Sequence, residues 1–476
     1  MRTPTTARSI RSLTSLATIL VALLGGSGCA MLRATVGAYE VGPAGIARPQ
    51  QRLREALARA DFPAALGWRE DDALLRALNV GVSSYYALQF ARSAALLDSA
   101  ALLADDRITA SVSKDALALI TNDLARPYQP RRTERLFIPY YGILAYARLE
   151  QWEEAAVEAR RLSALLAQYA SGRTDEERPT HATLHYLAGA VFERAGERNE
   201  AQVAYRNGQA LLPTLSDSNA NHVRGDGEVL VVVERGFVAH RATESINVFL
   251  GGSECDSLRN GDDDARSRTT ASLAERLARI ASGHGPSSVL SKGAPPRRNR
   301  GHDHDDDDDD ADGYWLSVAF PSVRRSHRVT GAATVFVDGA SASSSRVVSL
   351  LDDAALADEH RERGPMLARA VARAAAKYAI TKVVKEKKGE VAGTIANIGA
   401  SLLERADVRS WHLLPQEITL LRVRLPAGQH QLQVAVGSGD DSARADVGAV
   451  TVRAGQVSIA AVRLWNDPQP KVVAVR

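Results

Sequence analysis

The stretch LHYLAGAVFERAGERNEAQVAYRNGQALLP, Leu184 to Pro213, constrains the fold more than any other part of the chain. Gly189, Phe192, Gly196, Ala201 and Tyr205 follow one another at spacings that suit two helices and a turn, with Pro213 just past the second helix. Gly189 lets a neighbouring helix approach, and Phe192 shares its face three positions on. Gly196 is placed to end the first helix, because glycine adopts the left-handed cap conformation without steric cost. A second copy reads YYGILAYARLEQWEEAAVEARRL, with Tyr146, Trp152 and Ala155 in matching roles. A weaker third is VGVSSYYALQFARSAALLDSAALL, with Gly81, Phe90 and Ser93. The anchors Ser93, Ala155 and Ala201 lie 62 and 46 positions apart, so the array is degenerate and carries insertions. Apolar residues keep helical spacing from about Gln51 to Pro213, which predicts a helical domain over 51–215. Helix pairs of this kind bury their apolar faces by stacking and leave a concave surface. That surface serves either as a protein-binding groove or as a scaffold for its neighbours. Tyr140, Tyr141 and Tyr146 are the candidate groove residues, with burial in the core as the alternative.

The repeat spacings resemble those of a tetratricopeptide repeat. The N-terminus reads differently. Residues 1–28 have the make-up of a bacterial signal peptide: Arg2, Arg8 and Arg11, then the apolar run LTSLATILVALL, then Gly25, Gly26, Ser27 and Gly28 before Cys29. The apolar run is too short to span a bilayer. The order resembles a lipobox, in which the cysteine is acylated and becomes the mature N-terminus. Gly26 departs from the leucine usual three positions before the cysteine. Cys29 is therefore the expected lipidation site, with an ordinary secretory signal as the alternative. Ala30 gives no inner-membrane retention signal, so by resemblance to lipoprotein sorting the outer membrane is expected, with residues 29–50 as a tether.

Beyond the helices, GEVLVVVERGFV reads as a strand within a β segment over 227–250. A linker is expected over 251–313, broken by the short amphipathic patch ASLAERLARIAS. It ends in GHDHDDDDDDADG, preceded by Arg297, Arg298 and Arg300. The aspartate run lacks the spaced ligands of a calcium loop, and His302 and His304 have no rigid frame for zinc. Like charges in a run repel and extend the chain, so it reads as a solvated tether with weak divalent-ion association as the alternative. YWLSVAFPSV opens a second β segment over 314–340, and a helical segment is expected over 350–406. Its basic stripe Arg369, Arg373 and Lys377 suits either a solvated face or an anionic membrane surface. Four short strands with turns at Pro426–Gly428 and Ala454–Gly455 predict a small antiparallel β-sandwich-like module over 411–476.

ARAVARAAAKY and ADVRSWHLLPQEITLLRVRLPAGQH resemble a family of uncharacterised proteobacterial lipoproteins with tetratricopeptide-like helices. RTERLFIPYYGILAYARLEQWEEAAVEARRL, GEVLVVVERGFVAHR and YWLSVAFP are similar to the corresponding helical and β segments of that family. The resemblance runs from about Leu74 to Val436 and leaves out the linker. It implies a periplasm-facing lipoprotein of undefined activity, with peptidoglycan-synthesis machinery as a partner class. Asp407, Arg409, Trp411 and Pro415 of the DxRSWxxLP motif either lock a helix-to-sheet junction or frame a ligand site.

The 59 basic and 56 acidic residues leave a net charge of +3, which gives no electrostatic footprint for nucleic acid. The motifs of serine hydrolases, zinc proteases, phosphate-binding loops and paired cysteines are missing from the sequence. His181 and His185 stand one helical turn apart, a two-histidine face without an evident third metal ligand. No catalytic residue, metal or cofactor is assigned. The expectation is an α+β protein: a tetratricopeptide-like helical domain, a long helical segment and a C-terminal β module. It is anchored to the membrane by lipid and acts as a scaffold for an envelope protein partner. The alternative is a peptidoglycan-binding or glycan-active protein with a site near Arg409 and Trp411.

Overall fold

A computed structural model describes residues 46, 48–111, 126–214, 225–281, 314–326, 331–342, 345–388, 406–436, 443–465 and 472–475. The expected signal peptide, Cys29, nearly all of the tether and the acidic run lie outside them. The chain divides into two units, Met1–Glu55 and Ala56–Arg476. The first is described where it enters helix α1 (Arg48–Ala58), in which Gln51 Nε2 donates to Glu55 at 3.0 Å. No helix among the described residues is long and apolar enough to cross a membrane.

The second unit begins with α2 (Phe62–Leu66) and then three helix pairs. These are α3 (Ala73–Tyr86) with α4 (Phe90–Ser111), α5 (Arg132–Arg148) with α6 (Trp152–Gln168), and α7 (Arg178–Ala195) with α8 (Arg198–Leu211). Local chemistry starts and stops them. Asp72 Oδ1 accepts from the Leu74 and Leu75 amides at 3.0 Å and caps α3. Pro179 sits in the first turn of α7, and Gly196 ends that helix at φ 85°.

Each pair is closed by the same contact. A glycine of the first helix faces the residue sixteen positions later on the second: Gly81 faces Leu97, Gly142 faces Glu158, and Gly189 faces Tyr205. A Cβ at Gly189 would lie 2.7 Å from the Tyr205 ring, so only glycine permits this helix spacing.

Mixed helices and sheets make the protein α+β. Strand β1 (Asp226–Arg235) explains how the sheets assemble, because it is apolar on both faces and has to be central. It lies between β7 (Glu417–Pro426), antiparallel, and β10 (Val457–Leu464), parallel. With β6 (Ser345–Leu350) and β11 (Val472–Val475) the order is β11-β10-β1-β7-β6. A second sheet has the order β5-β4-β8-β9, from β4 (Ala333–Val337), β5 (Ala340–Ser341), β8 (Gly428–Val436) and β9 (Ala443–Val452). Val229, Val231 and Val233 of β1 share one core with Leu421 of β7, Val335 of β4 and Leu432 of β8. Each such side chain, fully buried, contributes about 1.5–3 kcal/mol over leaving it in water. The alternate residues of β1 lie on the opposite face: Glu234 meets Tyr86 of α3 and Tyr140 and Tyr141 of α5, and Glu228 meets Arg422 of β7, which in turn bonds Tyr205 of α8. Helix α7 also holds β6, through Thr180 Oγ1 and Ser349 Oγ at 2.8 Å.

Two expectations change. The β module is not a self-contained run of four strands over 411–476. Its strands divide between two sheets that also take in β1, β4, β5 and β6, and one pairing is parallel. The linker does not begin at 251. Helices α9 (Gly252–Asn260) and α10 (Asp263–Ala281) occupy that region. They pack Cys255, Leu258, Leu273 and Leu277 against Leu250 of β2 (His240–Leu250), Val318 of β3 (Tyr314–Arg324), and Ala370 and Val371 of α11 (Leu351–Lys388). The amphipathic patch is thus part of a helix that covers the two-stranded β2–β3 ladder.

Candidate functional site

The tyrosines expected in a groove are placed elsewhere. Tyr140 and Tyr141 are fully buried, and their hydroxyls donate to Glu234 Oε1 at 3.1 and 2.9 Å. Tyr86 Oη donates to Glu234 Oε2 at 2.6 Å. Burial, then the Glu234 charge, raises the pKa of Tyr140 and Tyr141 well above the ordinary phenol value. The buried Arg463 guanidinium stands 3.9 Å from Glu234 and 4.5 Å from the centre of the Trp465 ring. It donates to the carbonyls of Gly236 and Leu413. Burial disfavours this cation, but Tyr86, Tyr141 and Glu234 outweigh it and raise its pKa. The network ties the helix pairs to the central sheet. Tyr146 is half-buried, with its hydroxyl donating to Asp98 Oδ2 at 2.8 Å.

The Asp407–Pro415 motif is brought together as a clasp. Arg409 Nη2 reaches Asp407 Oδ2 at 2.7 Å and the Arg126 carbonyl at 2.8 Å, so its fork is engaged on two sides. Trp411 is 1% exposed; its amide donates to Glu134 Oε1 at 2.7 Å, and its ring tilts against Tyr141. Pro415 is buried. The Trp411 ring is thus covered by protein, and the motif ties its own segment to Arg126 and to Glu134 of α5.

Among the described residues, a groove of about 590 Å³ made by α6, the turn after it, α7 and α8 offers space for a ligand. Leu166, Ala170, Phe192 and Val203 give it an apolar floor, with Arg160, Arg173, His185, Asn199 and Asn207 along it. Helix α8 supplies a stripe, since residues four apart share a helical face. The volume lies in the range of small-ligand and peptide-side-chain clefts.

The charges in this groove are unevenly partnered. Arg160 pairs with Glu197 at 2.7 Å. Arg173 makes no ion pair or hydrogen bond among the described residues. Its neighbour Glu177 is buried and accepts from the Thr174 amide and from Arg361, both at 2.8 Å. His181 and His185 are buried, and the Nδ1 atom of each has no partner. Burial first, and Arg173 next, pushes their pKa values down to about 3 and about 4, so both rings are neutral at physiological pH. Arg361 and Arg132 add to the effect at His181.

The sequence reading singled out the histidine pair but not Arg173. A turn arginine has no periodic signature. It makes no direct ion pair because Glu177 is bonded instead to Arg361, 184 positions from Glu177 in the sequence. Groups of three or more His, Cys, Asp or Glu that could hold a metal are absent among the described residues. No protein-family model, curated protein or solved structure matches the chain.

Proposed function

We propose that this chain is a lipid-anchored, periplasm-facing protein of the cell envelope, held at the outer membrane through Cys29, and that it acts as a scaffold by binding a protein partner in the α6–α7–α8 groove. In this reading the helix pairs are tetratricopeptide-like repeats, the two sheets form a β-sandwich-like module, and the partner belongs to the peptidoglycan-synthesis machinery. The observation that carries it is the groove itself. Its α8 wall exposes Val203, 46% accessible, between Asn199 and Asn207 on a helix whose opposite face is packed. The mix of apolar floor and amide rim suits a polypeptide segment.

Photo-crosslinking in intact cells from a probe at Asn207 tests the groove. A reproducible crosslinked partner that Val203→Glu removes supports the scaffold, and unchanged crosslinks in that variant exclude the groove. Cys29→Ser tests the anchor separately. Release of the protein from the membrane fraction is expected, and retention there would end the lipoprotein assignment.

A further inference from the structure

The groove has a charge polarity that specifies what it binds. We propose that it accepts an acidic peptide segment, with one carboxylate held by Arg173 beside His185; the proposal rests on the groove reading above. Arg173 brings a guanidinium that makes no direct ion pair or hydrogen bond among the described residues; it feels the charge of Glu177, but that carboxylate is bonded to Arg361 and to the Thr174 amide. A guanidinium presents a planar fork that matches a carboxylate. His185 lines the same groove, is 7% exposed, and holds an Nδ1 with no partner. A buried ring nitrogen without a protein partner at the edge of a groove is free to meet a ligand atom.

A metal is the other ligand that two histidines one turn apart suggest. The surroundings have the wrong sign for it, because His181 lies in the field of Arg173, Arg361 and Arg132. An anion reverses that penalty: each neighbouring cation favours its binding.

The rest of the groove selects a peptide over an anionic lipid. Asn199 and Asn207 each present an amide donor and acceptor, the complement of a peptide backbone, and hydrocarbon has no use for either. Val203 between them offers a contact for one apolar side chain. The direction of the segment also follows. Arg178 Nη2 donates to the Leu211 carbonyl at 3.3 Å, which puts the end of α8 beside the start of α7 and the turn that carries Arg173. Glu200, the one acid of the lining, lies eleven residues up α8 from Leu211, about 16 Å away at the helical rise. It repels a second acid at that far end.

The test uses the full chain in detergent micelles and three fluorescent pools of random hexapeptides of apolar and amide residues. One pool ends in an amide, one in a free carboxylate, and one in an amide but with a single glutamate within. Binding is read by fluorescence anisotropy. The two acidic pools are expected to bind about tenfold more tightly than the neutral pool, the worth of one charge-assisted contact. Arg173→Gln abolishes the difference between the acidic and neutral pools, and Arg173→Lys restores part of it. Arg173 lies in a turn, and matching thermal unfolding of the variants confirms that the fold is kept. Equal affinity for all pools in the wild type, or an acidic preference that survives Arg173→Gln, overturns the proposal and leaves the scaffold reading standing. Absence of binding by every pool also overturns it, and the scaffold then stands or falls on the Asn207 crosslinks.

Discussion

At the scale of single residues, Glu234 carries an unusual load: three tyrosine hydroxyls and the field of Arg463 converge on one carboxylate with no exposure to water. Removing one partner of a buried pair leaves the other charge uncompensated, which costs about 3–5 kcal/mol. Glu234→Ala is therefore expected to lower stability by about that amount in urea denaturation, where an effect under 1 kcal/mol would contradict the assigned role. Glu158 behaves in the opposite way. Burial first, with Asp98 adding and Arg161 opposing, raises its pKa from 4.5 to about 7. A carboxyl with a folded-state pKa above its unfolded one is welcome only when protonated. Its favourable contribution is complete below pH 4.5 and is lost as the pH rises through 7. Glu158→Gln should consequently gain up to about 2–3 kcal/mol over wild type at pH 8 and nothing at pH 4. A stability difference between the two proteins that does not vary with pH would refute this.

Among the elements, the glycine contacts make a graded prediction. Gly189→Ala puts a methyl 2.7 Å from the Tyr205 ring, and Tyr205 is itself fixed by bonds to Glu193 and Arg422. Overpacking of this kind costs about 1–3 kcal/mol. Gly81→Ala meets the flexible end of Leu97 at 3.3 Å, so thermal unfolding should separate the two, with Gly189→Ala clearly lower. These helices were legible in the sequence because glycines, turn residues and apolar periodicity are local. The strands were legible too: β1 and β7 to β10 fall in the stretches rich in β-branched residues. Their partners were not legible. Nothing near Val229 says that it pairs with Ser458 and Val423. The same limit explains Tyr140 and Tyr141. Helical spacing shows that aromatic residues share a face, but whether a sheet covers that face depends on Glu234, more than ninety positions away. Helices α9 and α10 were missed because Leu273 and Leu277 find their core in distant Ala370 and Val371.

For the molecule as a whole, the helix pairs and the sheets are held by polar clasps as well as by apolar packing. Arg422 of β7 engages Glu228 of β1, Glu193 of α7 and Tyr205 of α8. Thr133 of α5 donates its amide to Asp358 of α11 at 2.9 Å. Residues Ala56–Arg476 accordingly form one compact unit. Helical circular dichroism and tryptophan fluorescence should therefore report one coincident unfolding transition in denaturant. Two separated midpoints would show that the helices stand without the sheets.

The place of β10 bears on how such a chain is made. Strand β1 emerges from the ribosome more than two hundred residues before the parallel neighbour that completes it. Until β10 arrives, Glu234 waits among its tyrosines without the guanidinium of Arg463, and one edge of the central strand is bare. Synthesis thus delivers the negative half of a buried pair long before the positive half. The interval between them is the window in which a chaperone would have the most surface to protect.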